Sequence, residues 1–298
     1  MIREEFLKIY ANIPINLRQE IILKLDNKEP ITWNVAYLEI NQDTKLGKEI
    51  LKKIDLIWGK TKRNFKKESL YLNNKIIADV YYKKNDTTIT PYLKQFLKQY
   101  KRLIVFFNVQ PPRIHICFVY TRKEMDKHWG RKSKITAMVD NKNPYLIYIF
   151  SPLVFEKLTT SKKREILPII IHETAHTFVT QINKRCFAWA NEGICQYVEG
   201  KNVHNNIVAK ENWKWFKENK ILIDPIISWR IVMKHEGYKI AYLLVKYIIK
   251  LHSKQAIIDI LSIRRTNRDK QIEQKISKIL ESDIDIFLKT FEKKLKLV

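Results

Sequence analysis

The stretch Ile169-Ile170-Ile171-His172-Glu173-Thr174-Ala175-His176-Thr177-Phe178-Val179, followed after a short gap by Trp189-Ala190-Asn191-Glu192-Gly193, decides how the rest of the chain is read. Its apolar residues flank the polar ones as a buried helix requires. Positions four apart on a helix lie about 40° from each other round the axis, so the imidazoles of His172 and His176 project from one face. Two such side chains can grip one metal ion. Zinc takes nitrogen, sulfur or carboxylate ligands tetrahedrally, and a reactive zinc site draws three of them from the protein. Glu192 is the candidate for the third. Fifteen residues separate it from His176, enough to end one helix, turn, and bring a second back beneath the first. Glu173, one step round from His172, points beside the metal toward the open side, where a carboxylate can take a proton from water. With seven histidines in the chain, chance supplies this His-Glu-x-x-His pattern only roughly 0.01 times.

At these residues the chain resembles the gluzincin metallopeptidases of the peptidase MA-like branch. Members carry His-Glu-x-x-His on one helix and, on the next, Trp-x-x-Glu-Gly or Asn-Glu-Gly followed by a small residue and an aromatic. Here the second segment runs from Trp189 to Tyr197. The likeness spans about residues 110 to 295, with specific motifs only between 168 and 200. It departs at Cys195, where an alanine-like residue is usual, and in a gap before Glu192 shorter than in thermolysin-like enzymes. The resemblance implies an α+β, mostly helical, zincin-like fold holding one zinc ion through His172, His176 and Glu192. Glu173 would be the general base of a zinc peptidase, and the substrate a peptide or protein. A small mixed sheet should pack on the motif helix, with an edge strand that takes up an extended peptide as one more strand. Tyr145 to Ser151 is the expected partner.

Two further roles complete that reading. The charge that develops on a substrate oxygen asks for a second donor besides the metal, and His235 and Tyr238 are the candidates after the zinc segments. Tyr238 is preferred. The run Tyr238-Lys239-Ile240-Ala241-Tyr242-Leu243-Leu244 is similar to the segment found there in aminopeptidases of the leukotriene-hydrolase type, with Gly237 allowing a tight turn. Asn191 or Glu199 could hold the other ring nitrogen of a ligand histidine.

Composition agrees with a globular enzyme and adds a rival. The chain has 298 residues, 45% hydrophobic and 11% aromatic, and carries a net charge of +25 with 43 Lys against 13 Arg. Such a charge attracts acidic partners, nucleic acid and anionic membranes included. The rival is therefore a catalytically silent metallopeptidase-like binding protein associated with nucleic acid through its charge. An intact Glu173 argues against it. The three cysteines, Cys117, Cys186 and Cys195, have no close pairing and suggest a reducing compartment. Met1 to Phe6 lacks the pattern of a signal peptide, and no apolar run reaches the length of a membrane span, so the expectation is a soluble, cytoplasmic protein.

Along the chain, residues 1–58 read as a small helical module built on Trp33, Ala36, Tyr37 and Ile40, then Leu46, Ile50, Leu51 and Ile54, with Pro14 and Pro30 at possible helix starts. Residues 59–68 form a basic linker, and 69–298 the zincin-like domain: sheet and zinc helices to 200, a C-terminal helical subdomain from 201. Pro91 to Val105 reads as a helix, and Ile114 to Tyr120, Ile135 to Val139 and Tyr145 to Phe150 as strands. Leu70 to Tyr82 alternates too imperfectly to assign. Pro168 either kinks the motif helix or sits in its first turn.

Overall fold

The computed structural model describes residues 3–25, 29–54, 65–140, 142–200, 207–223, 232–263 and 269–298. They form an α+β, mostly helical protein in two compact units, Met1–Lys66 with Lys83–Asn85, and Lys67–Tyr82 with Asp86–Val298. Residues 59–64 of the basic linker lie outside the described residues, while 65–68 open a strand. No helix among the described residues is long and apolar enough to cross a membrane.

The first unit holds helices α1 (Arg3–Ala11), α2 (Trp33–Asn41) and α3 (Lys45–Ile54) round a core of Phe6, Ile31, Ala36, Ile40, Ile50 and Ile54. Thr32 starts α2 by accepting the Val35 amide on its side-chain oxygen, 3.3 Å away, as an N-cap should. Gly47 lets α3 lie against α2, because a Cβ there would stand 2.2 Å from the Glu39 carbonyl oxygen. The helical expectation omitted one feature, an antiparallel pair of strands, β1 (Ile21–Lys24) and β2 (Pro30–Thr32). Pro30 therefore begins a strand instead of a helix, at a position where its missing N–H costs least.

The second unit is organised by a five-stranded mixed sheet of order β3-β4-β5-β7-β6: β3 (Phe65–Leu72), β4 (Lys75–Lys83), β5 (Ile114–Val119), β6 (Ala137–Val139) and β7 (Leu146–Phe150). Asn73 and Asn74, both at positive φ (48° and 62°), make the two-residue turn joining β3 to β4. Strands β4, β5 and β7 run parallel, and β6 runs antiparallel to β7. One face of the sheet is apolar throughout: Ala78 and Val80, Ile114, Ile116 and Phe118, Ile147 and Ile149 are all buried. Across the other face run two rows in register from strand to strand, Asp79–His115–Leu146 and Tyr81–Cys117–Tyr148–Met138.

Two long helices follow from strong apolar periodicity. Helix α4 (Thr90–Phe107) buries Leu93, Phe96, Tyr100, Leu103 and Phe107, and α7 (Ile166–Ile182) meets it through Phe178, whose ring lies 5.4 Å from Phe107 and 5.3 Å from Tyr100. Helix α7 also packs on β6 and β7. Pro168 is the third residue of α7, in the first turn, where the amide has no intrahelical acceptor to lose. Between them run α5 (Arg122–Trp129) and the short α6 (Phe155–Leu158). Helix α5 opens on a capping box, Thr121 with Glu124, and closes at Gly130 in the left-handed conformation (φ 80°).

Helix α8 (Ala188–Glu199) packs on α7 and on α10 (Gly237–Ser262), which breaks at Ser253, φ 82°. Gly193 makes the second approach possible: a Cβ there would lie 2.5 Å from the Ala241 carbonyl oxygen. Helices α9 (Lys210–Glu218), α11 (Asp269–Ile279) and α12 (Ile284–Glu292) complete the C-terminal part. Trp213 of α9 stacks on Phe216 and meets the edge of Phe291, and two-residue strands β8 (Ile207–Val208) and β9 (Lys296–Leu297) tie the chain end in parallel pairing.

Candidate metal centre

His172 and His176 stand one turn apart on α7, their ring centroids 4.9 Å apart and their planes 80° to each other. Each ring is held from the next helix. His172 Nδ1 lies 2.8 Å from Glu199 Oε2, and His176 Nδ1 lies 2.9 Å from Asn191 Oδ1. A carboxylate and an amide oxygen can only accept, so each Nδ1 is the donor and each Nε2 is the ring atom left to face Glu192. Both candidates for holding the histidines are thus in use, one on each ring.

Glu192 reaches into the space between the two Nε2 atoms. Its Oε2 is 3.5 Å from His172 Nε2 and 3.7 Å from His176 Nε2, and this buried oxygen makes no hydrogen bond. Ligand atoms of His172, His176 and Glu192 all fall within 4.8 Å of one another, close enough to share one metal ion. A buried acceptor without a donor carries a desolvation cost of about 1–3 kcal/mol or more. A cation between the three atoms removes it, so the donor set fits a metal.

The electrostatics of the cluster point the same way. Burial opposes charge on His172, yet the Glu192 and Glu199 carboxylates outweigh it and hold its pKa at about 10. Burial alone would raise Glu192; the His176 and His172 imidazoles reverse this and keep it below the ordinary carboxylate value. Glu173 goes the other way. Burial pushes its pKa up, against the pull of the two imidazoles, which makes it the more basic carboxylate of the pair.

His172, Glu173, His176, Glu192 and Tyr238 line one cavity of about 380 Å³, walled on the sheet side by Ala137 to Asp140. This corrects the expectation for the substrate strand. β7 is an interior strand, paired with β5 on one side and β6 on the other, and β6 is the edge that borders the cavity. Trp129 at the end of α5 and Ile135 extend the same wall, and neither was singled out from sequence. The signals that existed were the Thr121 to Glu124 capping box and Gly130, which set where α5 starts and stops.

Of the two oxyanion candidates, the structure brings only Tyr238 to the cavity. His235 stacks on Trp215 with centroids 4.0 Å apart, puts its Nδ1 3.2 Å from Asn212 Oδ1, and lines no part of the cavity. Glu236 separates the two roles, because its left-handed backbone (φ 54°) turns the chain between them. Its carboxylate is pinned by Lys239, by the Ala209 amide at 2.8 Å and by Asn212 Nδ2 at 3.2 Å. Gly237 serves a different purpose from the one expected: a Cβ there would stand 2.5 Å from the Val232 carbonyl oxygen, so it permits close packing while Glu236 makes the turn.

Cys195 lies against the metal cluster without joining it. Its sulfur is 3.3 Å from His176 Nδ1, the ring atom turned away from Glu192, and burial raises its pKa well above the ordinary thiol value. A thiol held protonated is a poor ligand. The fold and the site together define an α+β, mostly helical protein with a candidate two-histidine, one-carboxylate metal centre. No family model matches the chain, and no curated protein sequence matches it.

Proposed function

We propose that the protein is a zinc-dependent peptidase of the gluzincin kind. The observation that carries this reading is the convergence of His172 Nε2, His176 Nε2 and the undonated Glu192 Oε2 beside a raised-pKa Glu173. In a tetrahedral zinc site with bonds of about 2.1 Å, neighbouring ligand atoms sit about 3.4 Å apart. The separations of 3.5 and 3.7 Å between Glu192 and the two imidazoles are close to that edge.

Bound zinc supplies a Lewis acid that lowers the pKa of water to about 7 and polarises a carbonyl. The chain's own residues then divide the work. Glu199 and Asn191 fix the two imidazoles so that Nε2 faces the cavity. Glu173 accepts the proton of the attacking water and passes it to the departing amine, a task suited to a carboxylate whose pKa burial raises. Tyr238 donates its phenolic hydrogen to the oxygen that gains charge as the carbonyl is attacked. The exposed edge of β6 gives an extended peptide a backbone ladder along the cavity wall.

The test is digestion of an unbiased peptide library by the zinc-loaded protein, run beside Glu173→Gln, with the zinc content of both measured. The expected result is cleavage by the parent and at most traces by the variant at equal zinc. An inert parent with a full complement of zinc would remove the reading.

A further inference from the structure

Helix α5 and the loop after it carry charge that the site does not use. Between Arg122 and Lys134 the chain has Arg122, Lys123, Lys127, Arg131, Lys132 and Lys134 against only Glu124 and Asp126. Both acids are engaged in hydrogen bonds of their own. Glu124 Oε2 accepts the Tyr120 and Thr121 amides at 2.7 and 3.0 Å, and Asp126 Oδ1 accepts the Ser133 amide and hydroxyl, each at 3.0 Å. Arg122 is also consumed, its guanidinium donating to the Ile135 and Leu158 carbonyls over the Phe150 ring. Lys123, Lys127, Arg131, Lys132 and Lys134 are exposed, and among the described residues none of them is in an ion pair.

This charge is next to the metal cavity. Lys123, Lys127, Arg131 and Lys132 line an open hollow of about 560 Å³ together with Gly130 and Asp126, so four cations face one carboxylate that is already held by Ser133. Trp129, the residue before Gly130, lines the metal cavity, and so does Ile135, one residue past Lys134. The linings of the hollow and the cavity thus adjoin in sequence at Trp129 and Gly130. A chain leaving the edge of β6 past Trp129 would come to the cations of the hollow.

We infer that this basic hollow selects the substrate, and that the substrate is an acidic segment of a polypeptide, rich in Asp and Glu to one side of the bond in the metal cavity. The proposal rests on the peptidase reading above. Polypeptide is favoured over nucleic acid because single strands bind by stacking bases on open aromatic faces, and each ring at this patch already has a face occupied. Arg131 lies 5.5 Å over the Trp129 ring, and His128 stacks on Tyr148 at 3.8 Å and 17°. Exposed cations of this kind act over roughly a Debye length, about 8 Å at physiological salt, so their pull should fade as salt rises.

The experiment measures binding, and so needs no turnover. Three fluorescent probes of equal length are titrated onto zinc-loaded Glu173→Gln protein: a Glu/Ala peptide, its Gln/Ala counterpart, and single-stranded oligo-dT. The same titrations are made in the joint variant Lys123→Glu, Lys127→Glu, Lys132→Glu. A control with the same change in net charge carries Lys94→Glu, Lys98→Glu and Lys101→Glu, at exposed positions of α4 that line no part of the cavity. The Glu/Ala peptide should bind at least about ten-fold more tightly than Gln/Ala and lose that advantage in high salt and in the α5 variant, while the α4 control keeps most of it. Equal losses in both variants would show that only the total charge matters, and tighter binding of oligo-dT than of Glu/Ala would make the patch a nucleic-acid surface; either result overturns the proposal. Absence of library cleavage by the zinc-loaded parent counts against the peptidase reading separately, since it leaves these affinities unchanged.

Discussion

Asp79 on β4 and Glu192 on α8 are both carboxylates drawn out of water beside histidine, and their surroundings treat them oppositely. Asp79 accepts from Ser69 Oγ at 2.7 Å, pairs with Arg113, has Lys67 Nζ at 3.2 Å, and faces His115 Nδ1 at 3.8 Å. Its negative charge is neutralised by cations fixed in the chain. Glu192 has no Lys or Arg of that kind: its buried Oε2 has only the two imidazoles beside it, His172 Nε2 at 3.5 Å and His176 Nε2 at 3.7 Å. Buried charges are paired or coordinate metal. By that rule Asp79 belongs to the architecture of the sheet, and Glu192 with its two histidines is a candidate place for a cation from outside.

The contrast breaks most sharply at a ligand. His172→Ala leaves two ligand atoms where three stood, and zinc binding should collapse, with peptide cleavage lost along with it. The loss should exceed the roughly 10–100-fold expected from removing a supporting partner. Equilibrium dialysis against a chelator measures it, and retention of zinc at parental affinity would contradict the assignment. The supporting partners give the smaller value: Glu199→Gln, which weakens the hold on His172 Nδ1, should lower zinc affinity by about 10-fold or more while the fold survives.

Chemistry without ligation comes next. Glu173→Gln keeps shape but accepts no proton, so kcat should fall by about 10²–10⁴ at unchanged zinc content. Tyr238→Phe should cost about 10²–10³ in kcat with KM little altered. A parental kcat in Tyr238→Phe would leave the oxyanion without a side-chain donor from α10, since His235 is held away on Trp215.

The candidate metal centre was legible in the sequence because the residues it brings together lie on two neighbouring helices. Helical period fixes His172 against His176, and the supporting Asn191 and Glu199 share a helix with Glu192. Gly193 was legible only as part of a motif; its reason, the 2.5 Å approach to Ala241, is a tertiary fact. The sheet was less legible. β7 attracts attention because Ile147, Ile149 and Phe150 are apolar, yet a continuous apolar run is how a strand covered on both faces reads. The edge strand β6 is only three residues long and too short to show a period. The β3–β4 hairpin was hidden by Asp79, a buried charge that interrupts the alternation, although Asn73-Asn74 marked its turn. The preference for Tyr238 over His235 rested on the pattern of the helix that Tyr238 begins, whereas the feature that separates the two in the structure, the left-handed backbone of Glu236, leaves no signal in the sequence.

The smallest effect tests the other half of the comparison. Burial raises the pKa of Asp79, but hydrogen bonds from Arg113, Ser69 and Lys67 outweigh it and bring it down to about 2 from an ordinary 3.8. A carboxylate whose folded pKa is depressed contributes stability that is complete above the ordinary value and is lost as pH falls through the folded one. The contribution of Asp79 should therefore be constant at neutral pH and disappear between about pH 4 and pH 2. Asp79→Asn removes the charge and leaves Arg113 and Lys67 without their shared acceptor, at a cost of about 1–3 kcal/mol near pH 7. Zinc content and peptide cleavage at that pH should stay at parental values, because Asp79 lines no part of the metal cavity. Denaturant titrations of both proteins from pH 7 down to pH 2 read the outcome. The gap between them should narrow only in the acid range, whereas a gap that stays constant down to pH 2 would mean that the Asp79 charge is not what holds β3, β4 and β5 together at this point.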